Sequence, residues 1–253
     1  MTLRDRYQVE HTKWDTLAQE KLAKLSALSP TDDFCSYARR SSTLVGVWDF
    51  LDDLRDEHVL EFGCGTGYVS SLLAKSGAKV TAFDLSMTSV AVAHKRAELN
   101  QVNRDVKFTV AAGETLPYAD ESFDVIFGKA ILHHLEVKLG RFELYRVLKT
   151  GGKAVFVEPM GMNPVLNFVR EYVPYPHKNP HGADRPVNYD EIHAWGRQFG
   201  EFRYHEIQLL SMLERGLGFN KHFKILRSLD DVLLKYLPFL RRYCRYVVMF
   251  IEK

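Results

Sequence analysis

Between Val59 and Gly67 the chain reads V-L-E-F-G-C-G-T-G. An apolar run ends in an acid, Glu61, and passes into glycines at alternate positions, Gly63, Gly65 and Gly67. Glycine tolerates positive φ and carries no Cβ, so such a stretch can turn tightly and let a ligand approach the main chain. Asp84 closes the next apolar run, 21 positions beyond Gly63. At this spacing an acid at the tip of a second strand can accept hydrogen bonds from ribose hydroxyls. A glycine triplet alone is weak, because phosphate-binding loops and dinucleotide folds share it. Here no G-K-[ST] follows, the spacing is G-x-G-x-G, and Tyr68 comes next. An acid before the loop repels a pyrophosphate but suits a ligand bearing an ammonium and a sulfonium. The plain alternative is a tight strand-to-helix turn with no ligand.

A second group of candidates lies in I-L-H-H-L, Ile131 to Leu135. His133 or His134 could take a proton from an acceptor, a contribution of about 10²–10⁴-fold where it operates. Each could equally be a buried structural histidine. His177, His181 and Asp184 fall in the Pro/His/Gly-rich stretch Tyr175 to Asp184. Its prolines prevent a helix from aligning the two histidines, so a polar substrate lid is expected and no metal site. Tyr7 and Trp14 could close a pocket from the N-terminal helix. Cys35, Cys64 and Cys244 are widely separated, which argues against a disulfide framework or a thiolate metal site.

The elements that must hold these residues follow an alternating rhythm. Apolar spacing predicts helices from Tyr7 to Leu28 and from Tyr37 to Asp56. Strands are expected at 58–62, 78–83, 106–111, 123–127 and 153–158, with helices at 68–75, 87–100 and 137–149. This alternation argues for an α/β, Rossmann-like doubly wound parallel sheet. Beyond Pro159 the rhythm breaks into helices at 163–172 and 189–199, a strand at 202–210 and a last strand at 246–252. The expected organisation is an N-terminal helical cap over 1–56, a ligand-binding core over 57–160 and a substrate-side cover with the final strands over 161–253.

E-F-G-C-G-T-G, F-D-L-S at Phe83 to Ser86, L-P-Y-A-D-E-S-F-D-V-I-F at Leu116 to Phe127, I-L-H-H-L and Y-R-V-L-K-T-G-G at Tyr145 to Gly152 together resemble the class I S-adenosylmethionine-dependent methyltransferases. The resemblance is nearest to the ubiquinone/menaquinone-pathway and small-molecule group, and covers about residues 55–160. It implies a seven-stranded sheet whose last strand is antiparallel, with S-adenosyl-L-methionine as cofactor and S-adenosyl-L-homocysteine as product. It places Gly63, Gly65 and Gly67 under the methionine part and Glu61 near the amino group. Asp84 would hold the ribose, Leu85 would pack on the adenine, and Gly128 and Lys129 would offer main-chain groups to the amino-acid end. The family often has an adenine-binding acid where this chain has Ala112. Either Glu114 substitutes, or the main chain of Ala112 and Gly113 serves. I-L-H also resembles phosphobase methyltransferases, in which a histidine matching His133 assists catalysis.

Composition narrows the acceptor. The net charge of +2 carries no general nucleic-acid footprint. The [DNS]-P-P-[FYW] signature of DNA amino-methyltransferases is replaced by G-K-A-I, so nucleic acid is not expected as a partner. Met1 to Glu20 has no leader-like apolar core, and a cytoplasmic location is expected. Between Lys221 and Arg245 basic residues interleave with Phe219, Phe223, Leu226, Leu229, Leu233, Leu237 and Leu240. That pattern fits an acceptor-site cover or peripheral contact with an anionic membrane. Two readings follow: a methyltransferase acting on oxygen or nitrogen of a small molecule (an apolar, glycan or lipid-linked metabolite), or a non-catalytic member of the fold serving as sensor or interaction partner.

Overall fold

The computed structural model describes residues 3–174, 185–213 and 223–253. Seven strands form one sheet: β1 (His58–Phe62), β2 (Lys79–Asp84), β3 (Val106–Val110), β4 (Phe123–Lys129), β5 (Leu148–Pro159), β6 (Glu201–Ile207) and β7 (Tyr246–Glu252). Their order is β3-β2-β1-β4-β5-β7-β6. Neighbours from β3 to β5 are parallel, whereas β7 runs antiparallel to both β5 and β6. The expected architecture, including the reversed last strand, is present.

Strand side chains alternate between two faces, and each face builds one core. Val59, Val80, Val125, Phe127, Val155 and Phe250 meet Leu72 and Leu73 of the helix Tyr68–Lys75, together with Phe34, Val47 and Leu51. Leu60, Phe62, Ile126, Phe156, Met249 and Ile251 meet Leu144 and Val147 of the helix Val137–Val147, and Ile192 and Trp195 of the helix Tyr189–Gly196. Continuous apolar strands are what a sheet covered on both faces requires.

Several boundaries differ from expectation for local reasons. The N-terminal helix spans Leu3–Leu22, ending before Leu28. The helix expected over 37–56 is two, Phe34–Arg40 and Val47–Leu51. Gly46, with φ +72°, sits between them as the cap of the second. The first opens on a capping box in which Asp33 accepts from Ser36 N–H and Ser36 Oγ accepts from Asp33 N–H. Strand β5 begins at Leu148, with Gly151-Gly152 inside it. Phe123 faces Leu148 while Val125 faces Lys153, so residues 149–152 bulge from the ladder with Gly151 at φ +76°. Strand β6 stops at Ile207, where Gln208 takes φ +66°.

The stretch Tyr175 to Asp184, with His177, His181 and Asp184, lies outside the described residues, as do Phe219 and Lys221. No described helix is long and apolar enough to cross a membrane.

Candidate active site

The turn after β1 is built on glycines with positive φ, and at Gly67 no side chain fits. Gly67 has φ +73°, and a Cβ there would stand 2.7 Å from Ala93 Cβ and 2.9 Å from Ala93 Cα. It therefore lets the helix Tyr68–Lys75 start hard against the helix Met87–Leu99. Gly65 has φ +50° and nothing within 4 Å of its missing Cβ, so its open side faces space. Between them, Cys64 N–H donates to Phe83 O at 2.8 Å and Gly67 N–H to Cys64 O at 3.0 Å. The turn is thereby stitched to the tip of β2.

Asp84 ends β2 and organises both neighbouring turns. Its Oδ2 accepts from Gly65 N–H at 2.8 Å and its Oδ1 from Ser86 N–H at 2.9 Å. A carboxylate oxygen can accept more than one hydrogen bond. Glu61 is buried at the tip of β1 and accepts a short hydrogen bond from the Ser70 hydroxyl. Burial pushes the Glu61 carboxyl up to about 8, Asp84 adds like-charge repulsion, and Ser70 opposes the rise. Desolvation likewise raises the Cys64 thiol well above its ordinary range, so Cys64 is no thiolate nucleophile.

These groups share one cavity of about 250 Å³, near the lower end of the ~300–1,000 Å³ usual for small-molecule sites. Of the residues singled out from the sequence, Glu61, Gly63, Gly65, Asp84, Leu85, Ala112, Gly113, Glu114, Lys129 and His134 line it. Gly67, Gly128 and His133 stand outside that lining. Gly67 faces Ala93, as above. Gly128 faces the protein interior: a Cβ there would lie 2.5 Å from the Phe156 ring and 3.0 Å from Ile131. At both positions packing excludes a side chain.

The N-terminal helix crosses the cavity. Tyr7 Oη donates to Glu114 Oε2 at 2.8 Å, while Glu136 N–H donates to Glu114 Oε1 at 2.9 Å. Glu114 thus has both oxygens engaged by protein groups, which favours the main chain at Ala112 and Gly113 for any partner on that wall. Gly113 needs its missing side chain, because a Cβ would meet the Phe62 ring at 2.7 Å. The Trp14 ring stands edge-on to His134 with centroids 5.9 Å apart. One turn of helix positions Asp15 to accept from the hydroxyl of Ser86, which itself caps the helix Met87–Leu99.

His133 belongs to a different network. Its Nδ1 is 2.6 Å from Oε2 of Glu158, a fully buried acid at the end of β5. Oε1 of Glu158 accepts from Ile131 N–H at 2.8 Å and from Leu132 N–H at 2.9 Å. A carboxylate already accepting two N–H groups takes the Nδ1 proton as a third, leaving Nε2 with its lone pair. The same acid pins the turn in which Ala130 adopts φ +56°, a conformation that costs a non-glycine residue energy unless its surroundings hold it. Glu158 was not among the residues selected from the sequence. Its signal was an acid closing the apolar run V-F-V before a proline. Ser70, Asp15 and Tyr37, whose hydroxyl accepts from Lys129 Nζ at 3.2 Å, were missed for want of a comparable sign.

Among known proteins, residues 60–156 match the family described as "Methyltransferase domain". A demethylmenaquinone methyltransferase of Chlorobaculum parvum is 36% identical over 115 residues, 44% of this chain and 45% of that protein. The chain spans about half the length of the curated relatives it matches first. The crystal structure of the [4+2]-cyclase SpnF superposes with a TM-score of 0.62 at 17% identity, covering 98% of this chain and 96% of that one. A Haemonchus contortus phosphoethanolamine N-methyltransferase 2 in complex with S-adenosyl-L-methionine does so with a TM-score of 0.59 at 19% identity, covering 83% and 52%. Residues 60–156 thus match a methyltransferase domain, and that match falls on the glycine turn and the β1-to-β5 part of the sheet. One neighbour bears the name of a cyclase, so the fold alone does not set the reaction.

Proposed function

We propose that the chain is an S-adenosylmethionine-dependent methyltransferase acting on a small-molecule acceptor. The observation that carries this reading is the meeting, in one cavity, of Gly65 with its open Cβ position, the Glu61 carboxyl and the Asp84 carboxylate. These residues fit the cofactor chemically. The open face of Gly65 gives main-chain access, Asp84 offers acceptors to ribose hydroxyls, and the two acids favour a ligand that carries positive charge. Leu85 and the main chain of Ala112 and Gly113 supply the adenine wall, and Lys129 stands at the amino-acid end. When bound, S-adenosylmethionine supplies a methyl group made electrophilic by its sulfonium.

The chain's own residues then have three tasks. Asp84, Glu61 and the glycine turn fix one reactant, and orientation of this kind is worth up to ~7–11 kcal/mol. Tyr7, Trp14 and His134 wall off the cavity from water. His133 Nε2 takes the proton of an acceptor hydroxyl or amine, because Glu158 holds the opposite ring nitrogen as donor. The name of the Chlorobaculum relative supports a small apolar acceptor.

Titration calorimetry with S-adenosylmethionine tests the cofactor half of this reading. Saturable binding by the parent chain and its loss in Asp84→Ala are expected; absence of binding by the folded parent defeats the reading. For the catalytic half, His133→Ala should lower turnover by a hundredfold or so while leaving cofactor affinity unchanged. Near-normal turnover of His133→Ala across pH removes its role as base.

A further inference from the structure

The helix Pro164–Tyr172 is capped by Asn163, whose Oδ1 accepts from Val165 N–H and Leu166 N–H. Its apolar residues Val165, Phe168, Val169 and Tyr172 fall at i, i+3, i+4 and i+7, one face of the helix. That face points outward: these side chains are 38–67% exposed, and no residue of the helix is buried. The helix Phe223–Tyr236 repeats the arrangement. Ile225, Leu229, Val232 and Tyr236 form a stripe that is 45–71% exposed, and Phe239 in the turn beyond it is 64% exposed. A soluble surface rarely leaves two such stripes uncovered without a use for them.

The two stripes belong to one edge of the molecule. Strand β5 runs into the first helix, and the turn Pro238–Tyr243 leads into β7, which is antiparallel to β5. Both therefore lie at the carboxyl edge of the parallel strands, the edge that also carries the cavity. Asn163 Nδ2 donates to Tyr243 O at 2.7 Å and ties the start of the first helix to the turn after the second. The second helix is held from below. Asp230, buried under the second helix, accepts from the N–H groups of Leu209, Leu210 and Ser211 and from the Ser211 hydroxyl. The outward apolar residues are thus not the loose side of a poorly anchored helix.

Cations outnumber acids around the second stripe, whereas the first helix carries one of each, Arg170 and Glu171. Lys235 and Arg242 are exposed, and Arg227, Arg241 and Arg245 are half-buried. Of the acids on the helix, Asp230 is spent inside and Asp231 alone is exposed. Three of the cations lie over neighbouring tyrosine rings: Lys235 over Tyr236 at 5.6 Å, Arg242 over Tyr243 at 5.8 Å and Arg245 over Tyr246 at 5.1 Å. Apolar helix faces bordered by tyrosines and cations match the layering of a bilayer interface: hydrocarbon, then the ring level, then anionic headgroups. We propose that this face docks the protein on an anionic lipid bilayer, with both helices lying in the interface and the cavity edge turned toward the lipid.

Co-sedimentation of the full chain with phosphatidylcholine vesicles, alone or mixed with phosphatidylglycerol, tests the proposal. Binding should need phosphatidylglycerol and weaken as salt is raised. The double variant Lys235→Ala/Arg242→Ala should partition about 30-fold less, at roughly fivefold for each cation near an anionic surface. Phe168→Ser/Phe239→Ser changes two exposed side chains, so its fold should survive, as an unchanged unfolding midpoint would verify, and its vesicle binding should be lost. The proposal is overturned if the folded chain ignores phosphatidylglycerol vesicles at low salt, or if the variants bind as the parent does. It is equally overturned if sedimentation equilibrium reveals a dimer that Phe168→Ser/Phe239→Ser dissociates, since a second copy then covers the face. Cofactor binding is measured without vesicles, so failure here leaves the methyltransferase reading untouched.

Discussion

Replacing Glu61 by glutamine should make the ligand-free protein more stable, and increasingly so as pH rises. The native state holds a proton on Glu61 up to about pH 8, whereas the unfolded chain releases it near the ordinary value of 4.5. A carboxyl whose native value is raised contributes full stability below the unfolded value and costs stability above it, until the native carboxyl itself ionises. At about 1.4 kcal/mol per pH unit, the interval from 4.5 to pH 7 costs about 3 kcal/mol, and the full interval about 5. Glutamine carries no such penalty and still offers an oxygen to the Ser70 hydroxyl. Thermal unfolding of parent and Glu61→Gln from pH 5 to 9 should show nearly equal midpoints at pH 5. By pH 7 the gap should reach roughly 6–12 °C, at about 2–4 °C per kcal/mol for a chain of this size. A gap that stays constant with pH refutes the argument. The same logic extends to binding. A cationic ligand beside Glu61 favours the ionised form, so calorimetry at pH 7 in buffers of different ionisation enthalpy should detect nearly one proton released by the parent and none by the variant.

Three further outcomes follow from the geometry. Gly67→Ala places a methyl 2.7 Å from Ala93 at φ +73° and should cost about 2 kcal/mol or more in urea unfolding, whereas Gly65→Ala, with open space around it, should weaken S-adenosylmethionine binding more than folding. Glu158→Gln must point its amide oxygen at Ile131 and Leu132, which turns its NH₂ toward His133 Nδ1 and moves the ring proton to Nε2. Turnover of Glu158→Gln should fall on the order of a hundredfold with KM little changed, and ¹⁵N NMR of the imidazole should register the exchanged tautomer. Tyr7→Phe removes one hydrogen bond to a buried carboxylate, about 1–2 kcal/mol, and should speed hydrogen exchange in the helix Leu3–Leu22 without altering exchange in β1.

Much of the core was legible because its signals are local. Strand and helix alternation and the register between the glycine turn and Asp84 lie within a few dozen residues. What escaped depends on topology. Glu158 meets His133 because β4 and β5 are parallel neighbours, and nothing in I-L-H-H-L announces that partner. Tyr7 meets Glu114 across 107 positions, through a helix whose placement follows from Trp14 and Asp15 together. Gly128 is expected from the resemblance to offer main-chain groups, and only the Phe156 ring pressed against it explains why it carries no side chain. The break at Gly46 and the bulge before Lys153 reflect tertiary pairing that overrides local spacing.

The sheet's crossed order also governs how the chain can be made. On a ribosome, β5 emerges long before β7, yet β7 is what fills the place between β5 and β6. Until Tyr246–Glu252 arrives, β5 keeps a bare flank and β6 has no sheet neighbour to join. Unpaired strand edges of this kind invite other chains. A nascent chain halted between Ile207 and Tyr246 is therefore the form that chaperones should hold longest, and completion of folding waits on the release of the final strand.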